Sequence, residues 1–407
     1  MALIVQKFGG TSVANLDRIR DVARRVAKTH EEGNDVVVIL SAMAGVTDQL
    51  IEMANQISRR PPKRELDVLL ATGEQTSAAL LAMTLHAMGL SAHSLLGFQA
   101  EVRTDCAFGN ARILGVGAER LRALLDGRNI VVVAGFQGCD KQGNITTLGR
   151  GGSDTSAVVI AAALNADVCE IYTDVGGVYT TDPRIVPRAR KLERITYEEM
   201  LELASLGAKV LQTRSVALAM QYNVPVQVLS SFEDKPGTLV TADDPTMEHQ
   251  TVSGITYSRD EAKITLVGVE DRPGVAARIF GTLADANVNV DMIVQSVSPD
   301  GRSTDVTFTV AATDLARAQD LLAPVMRELG CRDVVADGGV VKISVIGVGM
   351  RSHAGIAHRM FQVLAERGIN IQAISTSEIK ISVLIPEEYT ELAIRTLHAA
   401  YGLDADA

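Results

Sequence analysis

Short β-branched runs alternate with stretches of helical periodicity through residues 1–230 of this 407-residue chain, and no other feature limits its fold as strongly. Ala2 to Lys7 is an apolar run ending in a glycine pair. Asn15 to Glu32 then carries Leu16, Ile19, Val22 and Val26 at helical spacing. Asp35 to Leu40 (DVVVIL) and Asn129 to Ala134 (NIVVVA) are continuous apolar runs, as expected of parallel strands buried on both faces. Leu66 to Met88 reads as helix and Ser156 to Leu164 as a helix of small residues. Ala166 to Tyr172 reads as strand, Glu198 to Met220 as one helix, and Val224 to Leu229 as extended. Strands alternating with helices predict βαβ units and an α/β fold with a mainly parallel sheet covered by helices.

The pattern changes near Ser231. Ser231 to Gln250 is rich in Asp, Pro and Thr and reads as a connector. Beyond it the chain repeats itself. Ile264 to Ser296 and Ile343 to Ser377 keep one register after a two-residue insertion, matching Gly268 with Gly347, Gly274 with Gly355, Phe280 with Phe361, Leu283 with Leu364 and Asn289 with Asn370. Each copy reads as strand, loop, helix, strand. Two copies predict two small α+β modules, since a solenoid needs three or more stacked units.

Composition narrows the partners. A net charge of −10 gives no electrostatic footprint for nucleic acid. The densest basic stretch, Arg59, Arg60, Lys63 and Arg64, is interrupted by Pro61 and Pro62 and reads as a solvated loop. Cys106, Cys139, Cys169 and Cys331 form no C-x-x-C pair and lie at no zinc-ligand spacing from a histidine, so they read as reduced thiols. No apolar run reaches the roughly 18–20 residues that span a bilayer. MALIVQKFGG has no basic leader region, so the mature chain is expected to start near Met1 and to remain cytoplasmic, without a membrane partner.

Three glycine-rich turns fall where strands give way to helices, the edge at which open parallel sheets bind ligands. In Lys7–Val13 (KFGGTSV), two glycines let backbone N–H groups approach a phosphate, with the Lys7 ammonium beside it. The lysine precedes the glycines, so this is not a Walker A loop. In Leu148–Thr155 (LGRGGSDT), Asp154 suits either a helix cap or a functional role beside Arg150. In Tyr172–Arg184 (YTDVGGVYTTDPR), Asp174, Tyr179, Asp182 and Arg184 crowd one loop. Together the three turns point to a nucleotide phosphate site. The GxGxxG look-alikes at Gly115–Arg120 and Gly347–Ser352 lack the third glycine and do not support a dinucleotide site.

With Ser41–Thr47 (SAMAGVT), Thr72–Glu74 (TGE) and the paired repeats, these motifs resemble the aspartokinase family, of the amino-acid kinase fold, over nearly the whole chain. The resemblance implies an amino-acid kinase catalytic domain over 1–245 and a regulatory region over 246–407. That region would hold two ferredoxin-like ACT domains near 264–335 and 340–407, the second completed by 250–263. Some relatives continue into a dehydrogenase domain, which is not expected here, since the sequence stops at Ala407. The implied reaction is ATP-dependent phosphorylation of the L-aspartate side chain with Mg²⁺, the entry step toward lysine, threonine and methionine.

The resemblance also implies roles for particular residues. Lys7 would contact the transferred phosphoryl group, Asp154 would orient the cations, and Lys209 would be a second cation, unless it is an ordinary surface lysine. Phe8, Gly9, Gly10, Thr173, Asp174, Tyr179, Asp182, Arg184, Lys209 and Val210 would meet ATP, with no metal ligands assigned. Ser41, Thr47, Glu74, Arg150, Gly151 and Ser153 would bind aspartate, with Arg150 on the α-carboxylate and Glu74 on the α-ammonium. By pattern alone Glu74 also suits a helix N-terminal acid. The substrate carboxylate is ionised at neutral pH, so the chemistry needs alignment and charge neutralisation rather than a general base.

Effector amino acids, lysine and/or threonine, would bind the repeats through Asp271, Gly274, Val275, Ala276, Asn289, Val290, Asp291 and Gln295 in the first, and His353, Ala354, Asn370, Ile371 and Ser377 in the second. The same repeats suit dimer contacts alone. A homo-oligomer through the ACT domains is expected, with a shorter subunit from the C-terminal half as a variant starting near Met247. Two alternatives remain open: a kinase of the same fold acting on glutamate, acetylglutamate or a nucleotide, and a non-catalytic amino-acid sensor.

Overall fold

The computed structural model describes residues 1–207, 210–243, 250–297, 303–353 and 355–404. Lys209, Ala354 and Met247 lie outside the described residues. The chain divides into two units. The first is Met1–Val178, Lys191–Ser205 and Lys209–Met247, and the second is Tyr179–Arg190, Leu206–Ala208 and Glu248–Ala407.

In the first unit the order is β1 (Leu3–Phe8), α1 (Leu16–Glu31), β2 (Asp35–Leu40), α2 (Val46–Ile57), α3 (Lys63–Ala87), β3 (Ala92–Leu95), β4 (Val102–Thr104), β5 (Ile113–Val116), α4 (Glu119–Asp126), β6 (Ile130–Ala134), β7 (Gln137–Cys139), β8 (Ile145–Thr147), α5 (Gly152–Leu164) and β9 (Val168–Thr173). It closes with β10 (Arg194–Thr196), α6 (Tyr197–Ser205), α7 (Thr213–Tyr222), β11 (Val226–Ser230) and β12 (Thr238–Thr241).

Eight strands form one sheet in the order β10-β12-β11-β9-β1-β2-β6-β3. Only the β11–β12 pair is antiparallel. This is the mainly parallel α/β sheet that the β-branched runs predict. Alternation along the strands explains its two apolar faces. Phe8, Val36, Val38, Leu40, Ile130 and Val132 pack with Ile19, Val22 and Val26 of α1 and Leu81 and Leu85 of α3. Val5, Val37, Ile39, Val131 and Val133 are equally buried, and α5 packs across β1, β2 and β9. Phe8 pairs with both Leu40 and Tyr172, so β1, β2 and β9 end level. The turns after them therefore share one sheet edge.

α3 is long and apolar enough by length and composition to cross a membrane. Here Leu70, Ala71, Ala78, Leu81, Ala82 and Leu85 are buried within the first unit, and Asp67 and Glu74 are buried along the same helix. A small second sheet, β5-β4-β7-β8, hangs on Asp67. Its carboxylate accepts from Gly109 N at 3.0 Å, Thr147 N at 2.8 Å and Thr147 Oγ1 at 2.9 Å.

The span from Glu198 to Met220 is two helices rather than one. α6 stops at Ser205, and Gly207 has φ +117°, outside helical geometry and open to glycine. The loop after β9 is also divided. Val178 N donates to Thr238 Oγ1 and Val178 O accepts from Leu192 N, within the first unit. Thr180 turns to Arg190, Ile255 and His398, within the second.

The second unit contains β13 (Gly254–Ser258), β14 (Ala262–Glu270), α8 (Val275–Asp285), β15 (Val290–Val297), β16 (Ser303–Val310), α9 (Leu315–Glu328) and β17 (Asp333–Asp337). It continues with β18 (Val340–Ile346), α10 (Ile356–Glu366), β19 (Ala373–Thr376), β20 (Lys380–Pro386) and α11 (Thr390–Ala400). These make two four-stranded antiparallel sheets, β15-β16-β14-β17 and β13-β18-β20-β19. β13 precedes the first module in sequence and pairs with β18 of the second. Lys342 on β18 is buried, pairs with buried Glu261, and donates to Asp291 of β15 at 2.7 Å, so one ion cluster joins the two modules. Ile185, Val186 and Ala189 join the core of the second module.

Asp67→Ala leaves the two buried donors of Thr147, and the part-buried Gly109 N, without an acceptor. It should cost roughly 3 kcal/mol of unfolding free energy. Urea denaturation of the variant against the parent checks this.

Candidate active site

The level ends of β1, β2 and β6 and the start of α5 enclose a cleft of about 400 Å³. It lies wholly within the first unit, and its walls carry Lys7, Ser41, Thr47, Glu74, Arg150 and Asp154. All six were named from the sequence, and they come from four separate segments of chain.

At the end of β1, Lys7 Nζ sits 2.6 Å from Asp154 Oδ1 at the first turn of α5. Both side chains are about nine-tenths buried, at 11% and 10% exposure. The contact is an ion pair without hydrogen-bond alignment, because the same oxygen has no hydrogen-bonded partner. Asp154 sits in the first turn of α5, where the helix dipole favours its charge. The N-cap, Gly151, has φ +72°, and no cap bond from a side chain is formed there. Asp154 therefore faces Lys7 instead of closing the helix end.

After β1 the chain turns directly into a single 3-10 turn, Gly10–Val13. Gly9 N donates to Tyr172 O at 3.3 Å, and Phe8 stacks on Tyr172 with ring centroids 4.5 Å apart. Phe8 is buried and holds the turn from beneath. Thr173 and Asp174 follow Tyr172 at the end of β9, where Thr173 Oγ1 donates to Asp174 at 3.2 Å.

Glu74 sits inside α3 and is 4% exposed. Its neighbour Gly73 allows the approach, since a Cβ there would lie 2.8 Å from that of Ala42. Glu74 Oε1 accepts from Ala42 N at 3.0 Å, whereas Oε2 is buried with no partner. Burial pushes this carboxyl up from 4.5 to about 7, against the smaller opposing effect of the Ala42 N–H. Position along α3 rules out the role of a helix N-terminal acid, because Glu74 is well past Lys63.

On the opposite wall Arg150 is exposed, and among the described residues its guanidinium makes no hydrogen bond or ion pair. Ser41 and Thr47 are half-buried at the rim, and Gly151 and Ser153 continue the turn. The cleft thus presents one orphaned acid, one buried ammonium and one free guanidinium. That set complements a small zwitterion carrying an extra carboxylate.

Among the cleft residues outside the quoted motifs are Phe136 and Gln212. Phe136 follows β6 with φ +65°, a left-handed conformation unusual for a bulky side chain. Gln212 precedes α7 and lines the same cleft. Neither belongs to a glycine-rich turn, though Phe136 stands directly beyond the β6 run, where a strand-end rule would have looked.

The remaining residues named for the nucleotide fall in both units. Val210 is half-buried before α7 in the first unit. Tyr179, Asp182 and Arg184 belong to the second unit. Asp182 there accepts from Arg184 N at 2.9 Å, from Arg184 Nη2 at 2.8 Å and from Tyr257 Oη at 3.4 Å. The Arg184 guanidinium holds the Asp182 carboxyl below its ordinary range.

In the regulatory repeats, Gly274 and Gly355 are equivalent left-handed caps with φ +95° and +94°, opening α8 and α10. Asp271 and Ala276 flank the first in exposed positions, and Val275 is buried. Asn289, Asp291 and Gln295 are exposed around β15, and Val290 pairs with Val310. His353 Nδ1 lies 2.8 Å from Gly349 O, Asn370 is exposed, Ile371 half-buried, and Ser377 N donates to Lys380 O at 2.8 Å.

This is the arrangement of the amino acid kinase family, which residues 2–230 match, and residues 263–324 and 343–401 match ACT domains. The chain is 57% identical over 408 residues to the aspartate kinase of Pseudomonas putida, covering 100% of this chain and 99% of that one. Among solved structures it is similar to E. coli aspartokinase III in complex with aspartate and ADP, with TM-score 0.81 and 29% identity over 98% of this chain and 99% of that one. The same enzyme in complex with lysine and aspartate gives TM-score 0.76 at 28% identity, over 98% and 99%. The chain belongs to the aspartokinase family, and its enzymatic class is that of the aspartate kinases.

Burial makes Glu74 bind its proton more tightly in the folded chain than in the unfolded one. Its contribution is therefore neutral below about pH 4.5 and destabilising as pH rises through about 7. Above that pH the penalty is on the order of 3 kcal/mol. Glu74→Gln should melt higher than the parent at pH 8 and alike at pH 4.5, in thermal unfolding followed at both values.

Proposed function

We propose that this chain transfers the γ-phosphoryl group of ATP to the side-chain carboxylate of L-aspartate, giving 4-phospho-L-aspartate and ADP. The observation that carries the reading is Glu74 Oε2, buried without a partner in a cleft that also holds a free Arg150 and the Lys7 ammonium. An α-ammonium satisfies the orphaned oxygen and brings Glu74 to its charged form. Arg150 takes the α-carboxylate as a bidentate pair, and Ser41 and Thr47 donate to carboxylate oxygens. Gly151 and Ser153 offer backbone N–H groups at the start of α5.

The substrate's side-chain carboxylate, with an ordinary pKa near 3.9, is already a nucleophile at neutral pH. One of its oxygens forms the new bond to the γ-phosphorus as the bond to the ADP oxygen breaks. What opposes this is repulsion between two anions. Lys7 offsets it from beside the phosphoryl group, with Lys209 as a second cation, and Asp154 fixes the Lys7 ammonium. Gly9 and Gly10 let the backbone approach the phosphates, while Thr173, Asp174 and Val210 stand on the nucleotide side. Tyr179, Asp182 and Arg184 are assigned to the nucleotide from the motif. Among the described residues no group of three acidic, histidine or cysteine side chains is gathered to hold a metal. Asp154 is already paired, which suits Mg²⁺ carried mainly by phosphate oxygens and water.

The ACT domains are read as the seat of feedback inhibition by lysine and/or threonine, on a cytoplasmic enzyme of lysine and threonine biosynthesis that assembles as a homo-oligomer. The lysine-bound structure of E. coli aspartokinase III supports this assignment by similarity.

ADP release with ATP, Mg²⁺ and each of L-aspartate and L-glutamate tests the reaction. Turnover should require aspartate and fall when lysine or threonine is added. Faster turnover of glutamate would refute the substrate. Lys7→Ala should lower kcat by about 10²–10³-fold in the same assay.

A further inference from the structure

We propose that Gln212 is a specificity-determining residue for the amino-acid substrate, donating its side-chain amide to a substrate carboxylate beside Arg150. The inference rests on the aspartate kinase reading of the cleft and adds a residue to it.

Four observations converge on this position. Gln212 is half-buried and lines the cleft together with Glu74 and Arg150. Its side chain lies against Gly151, where a Cβ would fall 2.0 Å from Gln212 Cγ and 2.6 Å from its Cβ. The residue after Arg150 therefore has to be glycine, and the amide is held beside the turn that carries the guanidinium. Among the described residues that amide makes no hydrogen bond, although the Gln212 backbone carbonyl accepts from Ser215 and Val216. Finally, the platform is fixed. Two residues further on, Arg214 donates through Nη1 to Leu148 O and through Nη2 to Ala111 O, both at 2.9 Å. α7 is thereby stapled to the strand end from which the Arg150 turn springs.

The amide is half-buried and opens onto the cleft with neither its donor nor its acceptor used within the chain, so both are available to a ligand there. Its side chain lies against Gly151, next to Arg150, the cleft cation with no carboxylate partner among the described residues, so an anion drawn to that guanidinium is the partner within reach of the amide. A neutral donor next to a guanidinium adds a directed bond to the anion and fixes where the carboxylate can lie. That position sets how far the reacting end of the substrate reaches, which distinguishes aspartate from a longer homologue.

The test uses the full-length enzyme with aspartate varied at saturating ATP, then ATP varied at saturating aspartate. Gln212→Met keeps the wall and removes the amide. Gln212→Glu keeps the shape and replaces the donor with an anion. The KM for aspartate should rise about tenfold in the first and further in the second, since both lose a bond to a charged group. The KM for ATP should stay within about twofold of the parent value in both, and the melting temperatures should match. A Gln212→Met enzyme with the parent KM for aspartate would overturn the proposal, leaving Gln212 as a wall. So would an equal rise in both KM values. If the parent itself shows no aspartate-dependent ADP release, the reading of the cleft fails and this inference with it. Should either variant prove unstable, calorimetric titration of aspartate into the remaining folded variant gives the same comparison.

Discussion

The Lys7–Asp154 ion pair is the contact on which the rest of the catalytic unit depends. It joins the end of the central strand β1 to the first turn of α5, and it lies deep enough that neither charge is well solvated. Such a pair contributes little to stability, since the desolvation of both ions offsets their attraction. Its value is positional. A lysine free at a strand end has four rotatable bonds, and the Asp154 carboxylate reduces them to one address beside the glycine turn. The pair is neutral as it stands, and its ammonium is already held in place beside the glycine turn.

The cleft as a whole is arranged against stability. Glu74 is desolvated with one oxygen unsatisfied, Arg150 has no acid of its own, and Phe136 holds a left-handed backbone. The buried Glu74 and the backbone of Phe136 are costs that the β-branched core of the eight-stranded sheet has to carry, whereas the exposed Arg150 stays solvated. The regulatory unit shows the reverse. Its buried Lys342 is matched by Glu261 and Asp291, so the charge that links its two modules is compensated within the chain. Compensated charge there and uncompensated charge in the cleft separate structural ion pairing from ligand recognition more clearly than burial does.

Much of this was legible in the sequence because the signals were local. DVVVIL and NIVVVA read as buried parallel strands without any knowledge of their neighbours, and glycines after strand ends marked the ligand edge. Lys7, Glu74, Arg150 and Asp154 could be named because each sits in such a turn or in a motif of the family, and the structure gathers them into one cleft. What was missed depends on distant partners. The strands of the small sheet are only three or four residues long and exist through their pairing and through Asp67. Glu198 to Met220 keeps helical spacing across a break that only the φ of Gly207 reveals. The loop Tyr172–Arg184 reads as one polar segment, yet Val178 pairs with Leu192 and Thr180 with Arg190, which assigns its halves to different units. Gln212 gave no signal because its neighbour in space, Gly151, is remote in sequence.

That last omission follows from how such clefts are built. Glycines at a ligand turn are conspicuous because they permit a backbone path, but a path permitted is not a path chosen. The space a glycine opens has to be bounded by some side chain, and the bounding residue comes from whichever element packs there. At Gly151 the boundary is Gln212, and at Gly152 it is Phe136, whose ring would meet a Cβ at 2.8 Å. Both bounding residues are constrained in type by volume and by what they expose to the ligand. Each glycine of the LGRGGSD turn therefore implies a partner that no local motif names, and the shape of the cleft depends on those partners as much as on the charged residues that first identify it.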